Sequence, residues 1–299
     1  MSVKPNPAQV KAGKIAARVL QKTCDEVKPG ALVRTICRIA EKKIITYGGS
    51  PAFPCNICID QIAAHYTSPK DDRDKIPDSG LVKVDIGVHV DGYIADTART
   101  LDVDGTLEGF VAATDDALDE AINLIKPGLP LGDVGKLIER IIKAYGLRPI
   151  KNLSGHSLKR YRLHAGKTVP NVKRRGTEKV EIGDCYAIEP FATNGTGTVI
   201  DSDYVYIFAN TGIDEPLEGL AEKLRLHLRE RYGPFPFASR WIGASGTQID
   251  IGEGLKELLR TKAIQGYPVQ VEKKGRLVAQ SEHTVFISSE GPMILTKPD

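Results

Sequence analysis

The chain contains no apolar run approaching the roughly 20 residues that span a bilayer, so no membrane-spanning helix is expected within it. Its N-terminus is polar and helix-like and lacks a signal-peptide core, so a cytoplasmic protein is expected. Charge imbalance is equally scarce. The net formal charge is only +3, too little to argue for a nucleic-acid partner. The short basic runs Lys159-Arg160 and Lys173-Arg174-Arg175 read as solvated loops and not as a phosphate-binding patch. Cysteine is sparse, odd in number and scattered (residues 24, 37, 55, 58 and 185), in a chain too large to need disulfides. Cys55 and Cys58 make a single CxxC with no second pair or matching histidine beside it. Buried filler is therefore the expected role, ahead of structural zinc or redox chemistry.

At 299 residues, with 26% charged and 41% apolar, the chain can bury a large core in one or two soluble domains. Helical spacing of apolar residues predicts helices over about 7–27, 31–47, 107–125, 131–145, 215–232 and 253–263. Strands are expected around 55–59, 81–101, 184–191, 204–209, 269–271, 277–288 and 293–296. Helices separated by hairpin strands favour an α+β layer structure over a parallel βαβ sheet.

The segment DIGVHVDGYIAD, from Asp85 to Asp96, has Asp91-Gly92 at its centre. An Asp-Gly pair between alternating apolar residues signals a tight hairpin, because both turn positions need positive φ. That turn would set Val90 opposite Tyr93, Gly87 opposite Asp96 and Asp85 opposite Ala98. Asp85 and Asp96 would then project from one face as diagonal neighbours over the side-chain-free Gly87. The other face carries Val84, Ile86, Val88 and Val90, a surface for a core. Two carboxylates so placed suit divalent cations better than a salt bridge.

The chain also repeats itself. Lys28-Pro29-Gly30 recurs 98 residues later as Lys126-Pro127-Gly128. At the same offset Tyr47-Gly48 matches Tyr145-Gly146 and Pro51 matches Pro149. Each half continues through an asparagine (Asn56, Asn152) to a histidine (His65, His156), and Gly80–Asp85 resembles Gly183–Glu189. Several matches at one offset predict a duplicated helix–helix–strand unit whose pseudo-twofold axis would bring the carboxylate strands together. Further candidate ligands are His156, after a glycine that lets the backbone turn, and Glu189 and Glu282, each a charge inside an apolar strand-like run. Singly each has an ordinary structural reading. Together they are the kind of charge that is rare in such runs unless paired or metal-bound.

The segments PAFPCNICI, AAHYT, VKVDIGVHVDGYIADTA, NLSGH with RLHAG, AIEPFAT, and GYPV with QSEHT closely resemble the type II methionine aminopeptidases of the pita-bread metallopeptidase family. The resemblance spans essentially the whole chain. It implies a pita-bread fold, with pseudo-twofold duplicated units around a central antiparallel sheet. It also implies removal of the initiator methionine from nascent polypeptides whose second residue is small. Asp85, Asp96, His156, Glu189 and Glu282 would bind two divalent ions: Asp85 on one, His156 and Glu189 on the other, Asp96 and Glu282 on both. A hydroxide held between the ions would attack the scissile carbonyl. Glu189 would shuttle the proton to the leaving amine, while His65 at the scissile amide and His164 at the carbonyl oxygen would assist. Phe53, Leu163, Phe191 and Tyr267 would line the methionine pocket, with His164 at its edge.

A ligand set rich in carboxylates favours harder ions; cobalt, manganese, iron and zinc all remain candidates. Glu189 and Glu282 lie 93 residues apart, which resembles the helical insertion of the type II class. The expected division is a catalytic unit of residues 1–194 and 270–299 and an insertion over 195–269. The absence of a long charged N-terminal extension suggests an archaeal organisation, and a monomer is expected. Partners would be polypeptide N-termini, with an encounter at the ribosome conceivable. Two alternatives stand beside this reading. One is an X-Pro-specific peptidase of the same fold, disfavoured by the 64 residues that precede His65. The other is a non-catalytic binding paralogue, which would be expected to lack the ligands.

Overall fold

The computed structural model describes residues 3–242 and 251–298. The first half runs α1 (Pro7–Cys24), α2 (Val33–Thr46), β1 (Ser50–Pro51), β2 (Asn56–Ile59), β3 (Ile62–Ala64), β4 (Leu81–Val90) and β5 (Tyr93–Asp102). The second half runs α3 (Glu108–Leu124), α4 (Leu131–Ala144), β6 (Arg148–Pro149), β7 (Ser154–Ser157), β8 (Thr168–Pro170), β9 (Cys185–Ile188) and β10 (Phe191–Thr193). Next come β11 (Val199–Asn210), α5 (Gly219–Tyr232), β12 (Phe237–Ala238), α6 (Ser239–Ile242), α7 (Ile251–Arg260) and β13 (Ile264–Glu272). The chain closes with β14 (Val278–Gln280), β15 (His283–Ser288) and β16 (Gly291–Ile294). No described helix is long and apolar enough to cross a membrane.

Helix α1 starts where its sequence says it should. The Asn6 side chain accepts from the Ala8 N–H at 2.9 Å, and Pro7 occupies the first turn. The helix ends three residues before the expected Val27, because the chain tightens there: Glu26 and Val27 donate to Thr23 and Cys24 carbonyls three residues back. Apolar residues Ile15, Val19 and Leu20 of α1 pack with Ile36, Cys37 and Ile44 of α2 onto Val82, Val84, Ile86 and Val88 of β4. In the second half, α3 and α4 bury Leu118, Ile122, Ile138 and Ile142 against Tyr186 and Ile188 of β9 and Val285 and Ile287 of β15. Each helix pair thus covers one face of its sheet and leaves the other toward the centre.

Backbone bonds expose the duplication directly. Gly30 donates to Ile76 O and Ile76 N to Ala31 O; in the second half Gly128 donates to Val180 O and Val180 N to Leu129 O. Isolated bridges Leu32↔Lys75 and Pro130↔Lys179 repeat the same tie. One detail of the repeat differs from the sequence reading, which matched His65 to His156. His156 faces Ala187, two residues before Glu189, just as Cys58 faces Lys83, two residues before Asp85. The strand position of His156 is therefore held in the first half by Cys58. His65 lies beyond β3, in a loop that has no place in that register.

Stretch 195–269, of which residues 243–250 lie outside the described set, holds strands as well as the expected helices. β11 and β13 pair over most of their length, β12 flanks β11, and β3 flanks β13. Its helices bury Leu224, Leu228, Ile242 and Leu258 against Phe208, Phe237 and Ile264, a core of its own. The β3–β13 pairing ties this unit to the first half next to His65.

Candidate metal centre

The β4–β5 hairpin has the register that its sequence dictates: Val90↔Tyr93, Gly87↔Asp96 and Asp85↔Ala98. Asp91 and Gly92 both take positive φ, 50° and 83°, the conformation of the two-residue turn. The gap above Gly87 is not open, however. A Cβ built there would meet the Phe53 ring at 2.2 Å, so the glycine lets that ring lie against β4.

Glu189 and Glu282 sit differently. The expected strands over 184–191 and 277–288 are each broken in two, and the acids occupy the breaks, Glu189 between β9 and β10 and Glu282 between β14 and β15. Pro190 explains the first interruption, since it has no N–H to continue a ladder. Glu282 turns its backbone toward the first half: its N–H donates to Ala98 O at 3.0 Å, and its carbonyl accepts from Thr97 Oγ1 at 2.9 Å. Thr284 Oγ1 accepts from Asp96 N and donates to Asp96 O, both at 2.7 Å. Thr100 Oγ1 likewise links to Gln280 in both directions. Sequence reasoning passed over these threonines; the only signal was hydroxyl residues recurring along both edge segments.

These ties bring ligand atoms of Asp96, His156 and Glu282 within 4.8 Å of one another. His156 Nε2 lies 3.6 Å from Asp96 Oδ2 and 3.6 Å from Glu189 Oε1. Among the described residues, His156 is the ion-pair partner that these acids have; no lysine or arginine joins them. Burial raises the Asp85 carboxyl to about 7. Asp96, Glu189 and Glu282 are raised well above their usual range, by burial first and then by mutual repulsion in which Asp85 takes part. Burial, with repulsion from His164, lowers His156 to about 3. Asp85 Oδ1 and Asp96 Oδ1 are buried without a hydrogen-bond partner among the described residues. Acids crowded this way, with orphaned oxygens and one neutral imidazole, fit divalent cations and fit little else.

The other expected residues surround this group unevenly. His164 lies 4.3 Å from His156, ring centre to ring centre, and burial depresses its pKa. His65 has φ of 65°, rare for a non-glycine, and burial lowers its pKa to about 4. Its Nδ1 faces the Pro268 carbonyl at 3.3 Å, which fixes the proton there and leaves Nε2 an acceptor. Tyr267 meets His65 edge-on at 5.6 Å. Phe53 and Leu163 share one apolar cluster, with Phe235. Phe191 is fully buried in another, against Ala63, Ile150 and Val199. The structure therefore does not unite all four expected pocket residues in one cluster. Phe235 stands in a Pro- and aromatic-rich link with no periodicity, so the sequence does not place it beside Phe53 and Leu163.

Residues 9–219 match the metallopeptidase family M24, more than two thirds of the chain. A methionine aminopeptidase from Thermococcus onnurineus is 44% identical over 291 residues, spanning 97% of this chain and 98% of that protein. Among solved structures, a thermophilic Arx1 superposes with a TM-score of 0.85 at 18% identity, covering 98% of this chain and 90% of that one. The methionine aminopeptidase of Thermotoga maritima superposes with a TM-score of 0.71 at 22% identity, covering 99% and 100%. These superpositions show the pita-bread architecture and nothing finer.

Proposed function

The chain belongs to metallopeptidase family M24, and on that premise we propose that it is a methionine aminopeptidase, clearing initiator methionine from new polypeptides with a small second residue. The observation that supports this reading most is the buried convergence of Asp96, His156 and Glu282, with Glu189 3.6 Å from His156 and Asp85 near enough to repel Asp96 and Glu282.

Asp85, Asp96, His156, Glu189 and Glu282 would hold two divalent ions, with cobalt, manganese, iron or zinc as candidates. When bound, such ions acidify water and polarise a carbonyl, which is the chemistry that peptide hydrolysis needs. The residues of the chain supply the rest. Glu189 Oε1, beside His156, holds the proton that the leaving amine requires. His65 Nε2, left as an acceptor, receives the N–H of the scissile amide. His164 presents its ring beside His156 to the carbonyl oxygen. Phe53 and Leu163, with Phe191 and Tyr267 farther along the wall, shape the apolar site for methionine. One methylene is worth only about 1–3 kcal/mol there, so discrimination among similar side chains is imperfect. Residues 195–269 act as the insertion that carries Tyr267 to this wall, and the protein works as a cytoplasmic monomer on polypeptide N-termini.

The test is release of the first residue from Met-Ala-Ser, Met-Pro and Leu-Ala peptides, with and without chelator. Methionine freed chiefly from Met-Ala-Ser, and lost on chelation, supports the proposal. Cleavage that survives chelation refutes the metal-dependent reading, and preference for Met-Pro refutes the specificity.

A further inference from the structure

Glu41, on α2, is a buried acid that the site does not use. Its Oε1 accepts from the Cys55 N–H at 3.3 Å and pairs with Arg240 Nη2, while Oε2 accepts from Trp241 Nε1 at 2.9 Å. Burial pushes this carboxyl up, and the donors from Arg240, Trp241 and Cys55 oppose that shift. Arg240 spends its other arm elsewhere: Nη1 donates to Thr67 Oγ1 at 2.6 Å and to Ser68 O at 2.9 Å. Thr67 Oγ1 then donates to Cys55 O at 2.7 Å. Both the N–H and the carbonyl of Cys55, just ahead of β2, are thereby held by side chains from other segments.

The four segments that meet here are not arbitrary. Cys55 follows Phe53 by two residues and precedes Asn56, which faces Asp85 across the ladder. Thr67 follows His65 by two residues, and His65 keeps a backbone conformation that needs outside support. Arg240 and Trp241 belong to the insertion, on α6, only a few residues after Phe235, whose ring stacks on His89 of β4 at 4.0 Å. The Trp241 ring stacks at 5.8 Å on Tyr232 of α5, joining the clamp to the core of the insertion. A lysine could not replace Arg240, because only a planar fork reaches a carboxylate, a hydroxyl and a carbonyl at once.

We infer that Glu41 and Arg240 are positioning residues: their buried ion pair locks the insertion onto the first half and sets the Phe53 and His65 segments for the substrate. The inference rests on the aminopeptidase reading for its kinetic consequence, but the clamp itself does not. It also gives Cys55 a role that the CxxC pattern concealed, as a backbone anchor point and not a thiol.

Glu41→Gln with Arg240→Met removes the charges together, which avoids stranding one of them in the interior. Thr67→Val removes the hydroxyl that relays Arg240 to Cys55 O and keeps the Glu41–Arg240 ion pair, so it serves if the double variant does not fold. Hydrogen–deuterium exchange should rise in 53–57 and 65–68 in either variant, with α3, α4 and β15 unchanged. On folded protein with full metal content, kcat/KM for Met-Ala-Ser should fall on the order of tenfold, less than the hundredfold that a ~1 Å misplacement costs. Preference for Met-Ala-Ser over Leu-Ala-Ser should narrow, and Arg240→Lys should restore little of it. Unchanged exchange in both segments, or a lower Tm with kcat/KM and preference at the parent values, would overturn the inference. If the parent protein frees no methionine, the aminopeptidase reading falls instead, and exchange alone still decides the clamp.

Discussion

The two halves of the molecule supply acids to the same cluster by different means. In the first half Asp85 and Asp96 stand inside an unbroken ten-residue ladder, β4 against β5. In the second half Glu189 and Glu282 occupy gaps between short strands, and Glu282 is placed by bonds that cross to the first half. A ladder fixes its side chains by register, so local sequence suffices. A gap fixes nothing by register, and for Glu282 the partner half does it. The lesson is that the cluster depends on the interface between the halves as much as on either sheet.

The sharpest way to separate the halves is to remove one acid. Asp96→Ala takes away the ladder acid that Thr284 ties to the other half. Methionine release should drop at least 10²–10³-fold, as for loss of one charge-stabilising group, with weaker binding of both ions in a calorimetric titration. Near-parent activity would show that Asp96 is not shared. Gly87→Ala attacks the register half alone. The new Cβ would fall 2.2 Å from the Phe53 ring, so about 1–3 kcal/mol of stability should go, read by denaturant unfolding. KM for methionine peptides should rise with it. Unaltered stability would mean that Phe53 yields freely, and the close approach would then matter little.

Thr284→Val attacks the tie between the halves. It leaves the Asp96 N–H and carbonyl without the Thr284 partner, which should cost about 1–3 kcal/mol. Metal affinity should fall although no ligand has changed. Thr284→Ser should keep both, and a Val variant with intact affinity would deny that the interface places the acids.

That contrast also says what could be read from the letters. Asp91-Gly92 sufficed for the hairpin register, because a turn of two positive-φ residues admits one pairing. The constant offset of 98 residues disclosed the duplicated helix pairs. The break at Glu282 was not legible, since its apolar flanks look like continuous strand, whereas Pro190 marks the one at Glu189. Nor were the threonine rungs or the Glu41–Arg240 pair, which join residues about 180 to 200 apart and leave no periodic trace. Pairing His65 with His156 failed for a related reason: composition matched them, but register matches His156 to Cys58.

The smallest expected effect concerns protonation. His65 is lowered by burial to about 4 from 6.5, so its neutral form is favoured by folding. That contribution to stability is present above pH 6.5 and is lost as pH falls from there through about 4. The His65 ring signals in NMR should stay neutral, with the proton on Nδ1, down to about pH 5. A midpoint near 6.5 would undo the assignment of Nε2 as acceptor.

The central claim is that acids from both halves converge on cations. Anomalous diffraction from crystals soaked in Mn(II) tests it most directly. The account predicts two peaks, each within bonding distance of carboxylates contributed by the ladder and by the gaps. Peaks confined to the residues of one half, or none inside the cluster at full manganese saturation, would contradict it.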